Sequence, residues 1–334
     1  ISTDEYQAYG MTLINFAEKL SSFSSPVAVG MSGNFRQMKR RILNIAIFRK
    51  ETLYQKMRAL IIYLVISAVF IGCTPILSIG ASTQDVYHFH DTDKNLSLLD
   101  VSAIFGSYDG SFVLYDNHLD SWKIYNLEEA NKRIPPDSTY KIYDALLGLE
   151  SGIITPEHSS MAWNGEHFSY SAWENDQDLN SAMQNSVNWY FQTMDSQLGL
   201  NKIQEFLNEI EYGNQTTSSN LKLYWSDFSL KISPIEQVEL LKKFNTNGFH
   251  LHSPNVLSVK NAIKIADTSD GTFYGKTGTG CIDGQDISGW FIGYIETSDN
   301  IYYFATNIQS DSNATGKKAL EITSAILKKL HIWN

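Results

Sequence analysis

Ser138 and Lys141 have the residue types and the spacing of a nucleophile and its base. Pro135-Pro136-Asp137 precedes them, and prolines followed by a capping acid are typical of a helix start. Ser138 is then predicted in the first helical turn, with Lys141 on the same face. A serine hydroxyl needs an adjacent base, and a lysine whose charge is disfavoured by burial can be that base. The pair predicts acyl transfer through a serine ester, with the helix N-terminus stabilising the developing negative charge.

The run Lys276-Thr277-Gly278-Thr279-Gly280 is a second group that could do chemistry, and it is predicted at the end of a strand. Such a strand presents a cation, hydroxyls and backbone groups along one edge of a cleft. Gly278 leaves that edge open to the backbone of a ligand. Taken alone, the run fits a turn with two glycines better, and a serine three residues before a lysine often arises by chance.

Two more runs lie in a middle section that is predicted to be mostly helical. Ser186-Val187-Asn188 comes 48 residues after Ser138, and Tyr212-Gly213-Asn214 and then Trp225 follow it. The order and spacing of these motifs resemble the class D (OXA-type) β-lactamases, whose pattern is S-x-x-K, S-x-V, Y-G-N and K-[TS]-G. The resemblance covers roughly residues 100–334.

This resemblance implies an α+β fold, with the mixed antiparallel sheet and flanking helices of serine β-lactamases and penicillin-binding proteins. It implies that Ser138 is the nucleophile, that Lys141 is the general base as a carbamate formed with CO₂, and that Ser186 relays protons. The backbone N–H groups of Ser138 and Thr279 are the implied oxyanion hole, and Trp225 is expected against the carbamylated lysine. The residues implied at the substrate are Tyr212, Asn214, Trp225, Lys276, Thr277, Gly278 and Thr279.

Two features depart from the class D pattern. Asn188 stands where class D enzymes usually have valine, and no arginine follows Arg133 to hold a substrate carboxylate. An amide beside Lys141 can hydrogen-bond the bare amine after CO₂ is lost, and without the carbamate no base activates the deacylating water. The acyl-enzyme is then expected to persist, so Asn188 is counted among the catalytic residues.

Both departures fit the sensor domain of the BlaR/MecR family of β-lactam sensor–transducers, and the runs 137–143 and 182–191 resemble that family. Residues 6–10 and the basic stretch after them resemble the end of its cytoplasmic metallopeptidase domain. The implied function is a receptor that signals across the bilayer to induce resistance genes, with a cytoplasmic repressor as an indirect target. Two alternatives stay open: a membrane-tethered class D β-lactamase with turnover, and a peptidase relative that cleaves D-Ala-D-Ala peptides.

Charge and metal-ligand patterns restrict the other function classes. The net charge of −10 argues against nucleic acid as the main partner, because phosphate binding needs a positive surface. None of the eight histidines has the H-E-x-x-H spacing, so zinc is expected only in a peptidase part outside this sequence. Cys73 and Cys281 lie far apart and are predicted to be free thiols.

An uncharged run of 21 residues, Ala59–Ile79, is long enough to cross a bilayer as a helix. Eight basic residues lie between Arg36 and Arg58, so the positive-inside rule predicts a cytoplasmic N-terminal side and an extracellular C-terminal side. A buried core helix, or a lipoprotein signal ending at Cys73, are the alternatives for this run. The predicted organisation is a helical peptidase remnant at 1–58, a span at 59–79, a linker at 80–99 and a sensor domain at 100–334.

The remaining elements are predicted from apolar periodicity. Early strands are predicted at Val101–Tyr108, Ser111–Asp116 and Ser121–Asn126, with a hairpin turn at Asp109-Gly110. Later elements are a helix from Ser138 to about Leu149, strands at Thr272–Thr277, Ser288–Glu296 and Asn300–Asn307, and a final helix at Gly316–Leu330. Strands at both ends with helices between them predict one sheet, assembled from both ends of the domain, with a helical part inserted.

Overall fold

The computed structural model describes Thr12, residues 85–89 and residues 95–333. Most of this part is built around a seven-stranded sheet with the spatial order β1-β3-β2-β7-β6-β5-β4. The strands are β1 (Asn95–Leu98), β2 (Asp109–Asp116), β3 (Ser121–Tyr125), β4 (Lys264–Thr268), β5 (Gly271–Ile282), β6 (Gln285–Glu296) and β7 (Ile301–Gln309).

The sheet joins the two ends of the domain. β2 pairs with β7 in antiparallel register from Asp109↔Gln309 to Asp116↔Tyr302, so an early strand and the last strand are direct neighbours. The other neighbouring strands are also antiparallel, except that β1 runs parallel to β3, which makes the sheet mixed. The prediction of one sheet assembled from both ends, with a helical part inserted, is therefore confirmed.

Helices cover both faces of the sheet. Alternate residues of β2 face opposite sides, with Phe112 and Leu114 in one apolar core and Val113 and Tyr115 in the other, as the two-residue period of a strand requires. The first core is closed by α9 and the second by the inserted helices. The helices are α1 (Ser102–Phe105), α2 (Leu127–Asn131), α3 (Lys141–Glu150), α4 (Leu179–Gln184), α5 (Asn188–Leu198), α6 (Leu200–Glu209), α7 (Pro234–Asn245), α8 (Ser253–Ala262) and α9 (Gly316–Lys329).

Side-chain caps explain where several helices begin. α7 starts with a capping box, in which Ser233 Oγ accepts from Glu236 N and Glu236 Oε2 accepts from Ser233 N. α4 has the same arrangement between Asp178 and Ser181. Thr315 accepts from the N–H of Lys318 at the start of α9, which is the helix that borders the K-T-G strand.

Two local predictions were wrong. The stretch predicted as a strand at Val101–Tyr108 contains α1, because Val101 and Phe105 lie four residues apart and bury the same face. Asp109-Gly110 opens β2 instead of forming a hairpin turn. Gly110 has φ +136°, and a Cβ there would lie 2.1 Å from the carbonyl oxygen of Asn307, so the glycine serves close strand pairing.

The other predicted elements are confirmed with shifts of a few residues at their ends. β1 and β4 are additional edge strands that the apolar pattern did not indicate, and β1 lies in the stretch predicted as a linker. The predicted span at 59–79, the segment 1–58 and Cys73 lie outside the described residues. Within the described ranges, no helix combines the length and apolar character that crossing a bilayer needs.

Candidate active site

Ser138 lies in a 3-10 turn, Asp137–Tyr140, that leads directly into α3. Its Oγ is 2.9 Å from Lys141 Nζ, which donates a hydrogen bond to it. The turn is anchored to β6, because the indole N–H of Trp290 donates to the carbonyl oxygen of Pro135 at 2.9 Å. The predicted pairing of nucleophile and base at the start of a helix is present in the structure.

Lys141 is buried in a mostly aromatic environment, with 1% of its surface exposed. Its Nζ also donates to Asn188 Oδ1 at 2.9 Å and lies 4.1 Å from the centre of the Trp225 ring. Burial lowers the pKa of Lys141 to about 7, and the carboxyls of Asp144, Asp137 and Asp195 oppose that shift. A substantial fraction of Lys141 is therefore an unprotonated amine at neutral pH, as a general base requires.

Lys276 of β5 brings the second serine into the site. It is 4% exposed, and its Nζ donates to Ser186 Oγ and, at 3.0 Å, to the carbonyl oxygen of Thr277. Burial, followed by the charge of Lys141, holds the pKa of Lys276 well below its usual value. Ser186 lies between α4 and α5 with φ +51°, a left-handed conformation that is costly for a residue with a Cβ. Two lysines thus meet two serines at the bottom of one cleft.

β5 forms one wall of a cavity of about 380 Å³ that Ser138 lines. A Cβ on Gly278 would lie 3.1 Å from the carbonyl oxygen of Pro136 and 3.3 Å from Ser138 N, so only a glycine lets the strand pass this close to the nucleophile. Thr279 Oγ1 accepts from the N–H of Gly316, which ties the wall to α9. The cavity is lined by Ser138, Tyr170, Ala172, Trp173, Asn185, Ser186, Asn188, Thr277, Gly278, Thr279, Cys281 and Asp286.

Most of the residues that the sequence pattern singled out meet at this cavity. Besides Lys276, which reaches the cavity through Ser186, three of the residues predicted at the substrate lie outside the cavity wall. Tyr212 is fully buried between the rings of Tyr140 and Tyr143, at 5.2 and 5.1 Å, and does not line the cavity. Asn214 accepts from Lys231 N at 2.9 Å and donates to the carbonyl oxygen of Ser229 at 2.8 Å, which fixes a loop.

Trp225 is the third, because it stacks on Lys141 and does not border the cavity. Tyr212, Asn214 and Trp225 therefore lie beneath the site and not in the cavity wall, and their contact with substrate stays a prediction. The Y-G-N run and Trp225 belong to the packing beneath Ser138.

Sequence reasoning also missed residues that border the site. Tyr170, 66% exposed, stands at the mouth of the cavity near the Trp173 ring. Cys281 is exposed and free, as predicted, but its position in the cavity wall was not foreseen. Asp144 and Asp195 lie beneath Lys141 and influence its pKa. For Asp144, the sequence offered one signal: its three-residue spacing from Lys141 places both residues on the same face of a helix. In the described part of the chain, no cluster of three His, Cys, Asp or Glu side chains could hold a metal ion.

The arrangement is suited to acyl transfer. An unprotonated Lys141 amine can take the proton of Ser138, and the freed oxygen can attack a strained amide carbonyl that enters the cavity. The neighbouring carboxyl of Asp137 does not compete as a base, because burial raises its pKa to about 8 and keeps it mostly protonated at neutral pH.

The rate constant for acylation by penicillin should rise with pH through about 7 and level off above it, because the unprotonated Lys141 amine is the reactive form. Time-resolved intact mass measurements at a series of pH values would give this profile. A rate constant that stays flat from about pH 5.5 to 9 would contradict the assignment of Lys141 as the base.

Three comparisons with known proteins agree with this geometry. Residues 107–328 match the family described as the penicillin binding protein transpeptidase domain. The regulatory protein BlaR1 of Bacillus licheniformis is 40% identical over 329 residues, which cover 97% of this chain and 54% of that protein. The chain thus spans about half the length of this curated relative.

Two solved structures have the same fold. The C-terminal domain of the Bacillus licheniformis BlaR penicillin-receptor is 44% identical with a TM-score of 0.70, and the match covers 72% of this chain and 99% of that domain. The class D β-lactamase BAT-2 is 35% identical with a TM-score of 0.66, and the match covers 71% of this chain and 97% of that enzyme. This chain therefore belongs to the penicillin-binding protein transpeptidase family, in the group of the BlaR/MecR-type regulatory proteins, and has a class D β-lactamase-like α+β fold.

Proposed function

We propose that this domain is a β-lactam receptor, in which Ser138 is acylated once and the ester then persists. The observation that carries the proposal is the 2.9 Å hydrogen bond from Lys141 Nζ to Asn188 Oδ1. The amide oxygen of Asn188 accepts a hydrogen bond that an amine or ammonium can donate. A class D hydrolase has an apolar residue at this position, which suits a carbamate on the lysine. The relative named as a penicillin receptor has the same fold, at 44% identity.

Acylation needs one proton to leave Ser138 and one to reach the β-lactam nitrogen. Lys141 takes the proton of Ser138 as the serine oxygen bonds to the carbonyl carbon. The carbon–nitrogen bond of the ring then breaks, and Ser186, hydrogen-bonded to Lys276, is placed to pass a proton to the leaving nitrogen. The product is an ester on Ser138. Its hydrolysis requires a base for water, and an ammonium bound to Asn188 is not a base.

A carbamate on Lys141, formed by reversible addition of CO₂, is proposed for the free protein. The ring of Trp225 lies 4.1 Å from Lys141 Nζ, so it would pack against a carbamate on that lysine. Asn188 Oδ1 opposes the same modification, because it would face a carbamate oxygen. Carbon NMR with labelled bicarbonate measures the carbamate, and its signal should fall when penicillin acylates Ser138.

The longer protein is proposed to signal across a membrane. The uncharged run 59–79 and the basic stretch before it support a single span, with residues 1–58 in the cytoplasm and the penicillin-binding domain outside. The proposed outcome of acylation is release of a cytoplasmic repressor through the peptidase part, which would carry the zinc. Protease protection in sealed vesicles tests the orientation.

A class D β-lactamase with turnover is the second candidate. It is favoured by the complete set of Ser138, Lys141, Ser186 and Lys276 and by the fold shared with an enzyme of that class. Intact mass and a hydrolysis assay with penicillin separate the two. A single adduct that lasts for hours supports the receptor, whereas hydrolysis of many equivalents per chain would overturn it. Cleavage of D-Ala-D-Ala peptides would instead support the peptidase alternative.

Asn188→Val should shorten the lifetime of the penicillin ester by about a hundredfold or more, since general base catalysis contributes roughly 10²–10⁴. The change removes the amide that binds Lys141 and makes the surroundings of a carbamate apolar. The decay of the adduct mass after removal of free penicillin measures the effect. Asn185→Val is the matched control, because the Asn185 side chain donates to the carbonyl oxygen of Ser181 and not to Lys141. An Asn188→Val ester as durable as that of the unmodified protein would count against the proposal.

A further inference from the structure

Two carboxyls beneath Lys141 have no role in the steps above. Asp144 lies one turn further along α3, and Asp195 lies two turns after Asn188 along α5. Both residues are completely buried. Asp195 Oδ1 accepts from the hydroxyl of Tyr224 at 3.1 Å, and the indole N–H of Trp225 and the carboxyl of Asp144 also face Asp195.

The two carboxyls interact directly with each other. Two neighbouring buried carboxyls cannot both be ionised at modest cost, so the pair keeps one proton between them. A proton on Asp144 makes its carboxyl a donor, and Asp195 is the acceptor beside it. Burial raises the pKa of both groups, and that of Asp144 more strongly. The pKa of Asp195 is raised to about 7, so the pair gains its single negative charge as the pH rises through neutrality.

We propose that Asp144 and Asp195 form a positioning pair for Lys141, whose negative charge favours the ammonium form of the lysine on Asn188 and opposes a carbamate on it. A carbamate is itself an anion, so placing it above a buried negative charge is unfavourable. The pair thereby disfavours the carbamate that would activate water, so the ester on Ser138 persists. This inference rests on the proposed receptor function and concerns its regulation by pH and CO₂.

The other titratable groups around this cluster do not supply the same charge. Asp137, from the turn before α3, is mostly protonated because burial raises its pKa to about 8. Lys276, from β5, has a pKa held well below its usual value by burial. The tyrosines facing the pair are neutral, since burial raises the pKa of each, and they are Tyr140, Tyr190 and Tyr224. Asp137 adds negative charge beside Lys141 as it ionises near pH 8, whereas the acid pair begins to ionise near pH 7.

The test compares the pH profile of acylation in three variants of the chain. In Asp144→Asn the amide can donate to Asp195, so the charge stays and the midpoint should move little. The same holds for Asp195→Asn, in which Asp144 can ionise. The double variant removes the charge, so its midpoint should fall by about one pH unit or more. The carbamate signal from labelled bicarbonate should rise only in the double variant. A purely structural role would follow stability and would not separate single from double variants.

Asp116→Asn is the control, because Asp116 is a buried carboxyl at the end of β2 that accepts from the N–H groups of His118 and Leu119. Its profile should match that of the unmodified protein. If the double variant does not fold, Tyr224→Phe is the second test, since it removes the hydrogen bond to Asp195 and should move the midpoint in the same direction. A folded double variant with an unchanged profile and carbamate signal would overturn the inference. Failure of the unmodified protein to form any adduct would instead overturn the receptor proposal.

Discussion

Ser138→Ala should leave the protein without any covalent penicillin adduct, while the unmodified chain gains the mass of one penicillin. The reason is that Ser138 Oγ is the hydroxyl that Lys141 Nζ contacts at 2.9 Å, and it lies at the N-terminal end of α3. Intact mass after incubation with excess penicillin measures the loss, which should be complete at every pH.

Cys281 is the matched control for this experiment. Its thiol is exposed in the wall of the same cavity, so it is the other nucleophile that an antibiotic could meet there. Cys281→Ser should form the adduct like the unmodified chain. An adduct that survives in Ser138→Ala and disappears in Cys281→Ser would transfer the reaction to the thiol and refute the assignment of Ser138.

Lys141→Met should slow acylation by roughly 10²–10⁴-fold, which is the contribution usually made by a positioned base. Methionine has a similar length and suits the aromatic pocket of Phe191 and Trp225, so the fold should be retained. Asn188 loses its donor at a cost of about 1–3 kcal/mol, and the removal of a buried amine offsets part of this. The remaining acylation should no longer depend on pH near 7.

Lys260→Met is the control for this substitution. Lys260 is partly buried, and its Nζ donates to the carbonyl oxygen of Asn245 at 2.8 Å, away from Ser138. Loss of that lysine tests what removing a partly buried amine does to the fold, and acylation should be unchanged. If Lys141→Met reacted with penicillin at the normal rate, the serine would have another base, and the role of Asn188 in trapping the ester would have to be rejected.

The amino-acid sequence by itself determined the contact between Ser138 and Lys141 and most of the sheet. Ser138 and Lys141 are three residues apart in a helical turn, and this spacing alone brings their side chains together. The alternating and apolar runs of the later strands likewise predict elements, because the two-residue period of a strand is a local property. The short helix α1 shows the limit of that signal, since four or five apolar residues suit either element.

Only the tertiary structure decided which motif residues reach the cavity and how they are charged. Tyr212 belongs to a recognisable motif, yet contacts with Tyr140 and Tyr143 place it in the core. The link from Lys276 to Ser186 and the pairing of Asp144 with Asp195 join segments that are far apart in the chain. Desolvation and the fields of neighbouring charges set the pKa values of these groups, and both depend on packing between distant segments, which local spacing does not encode.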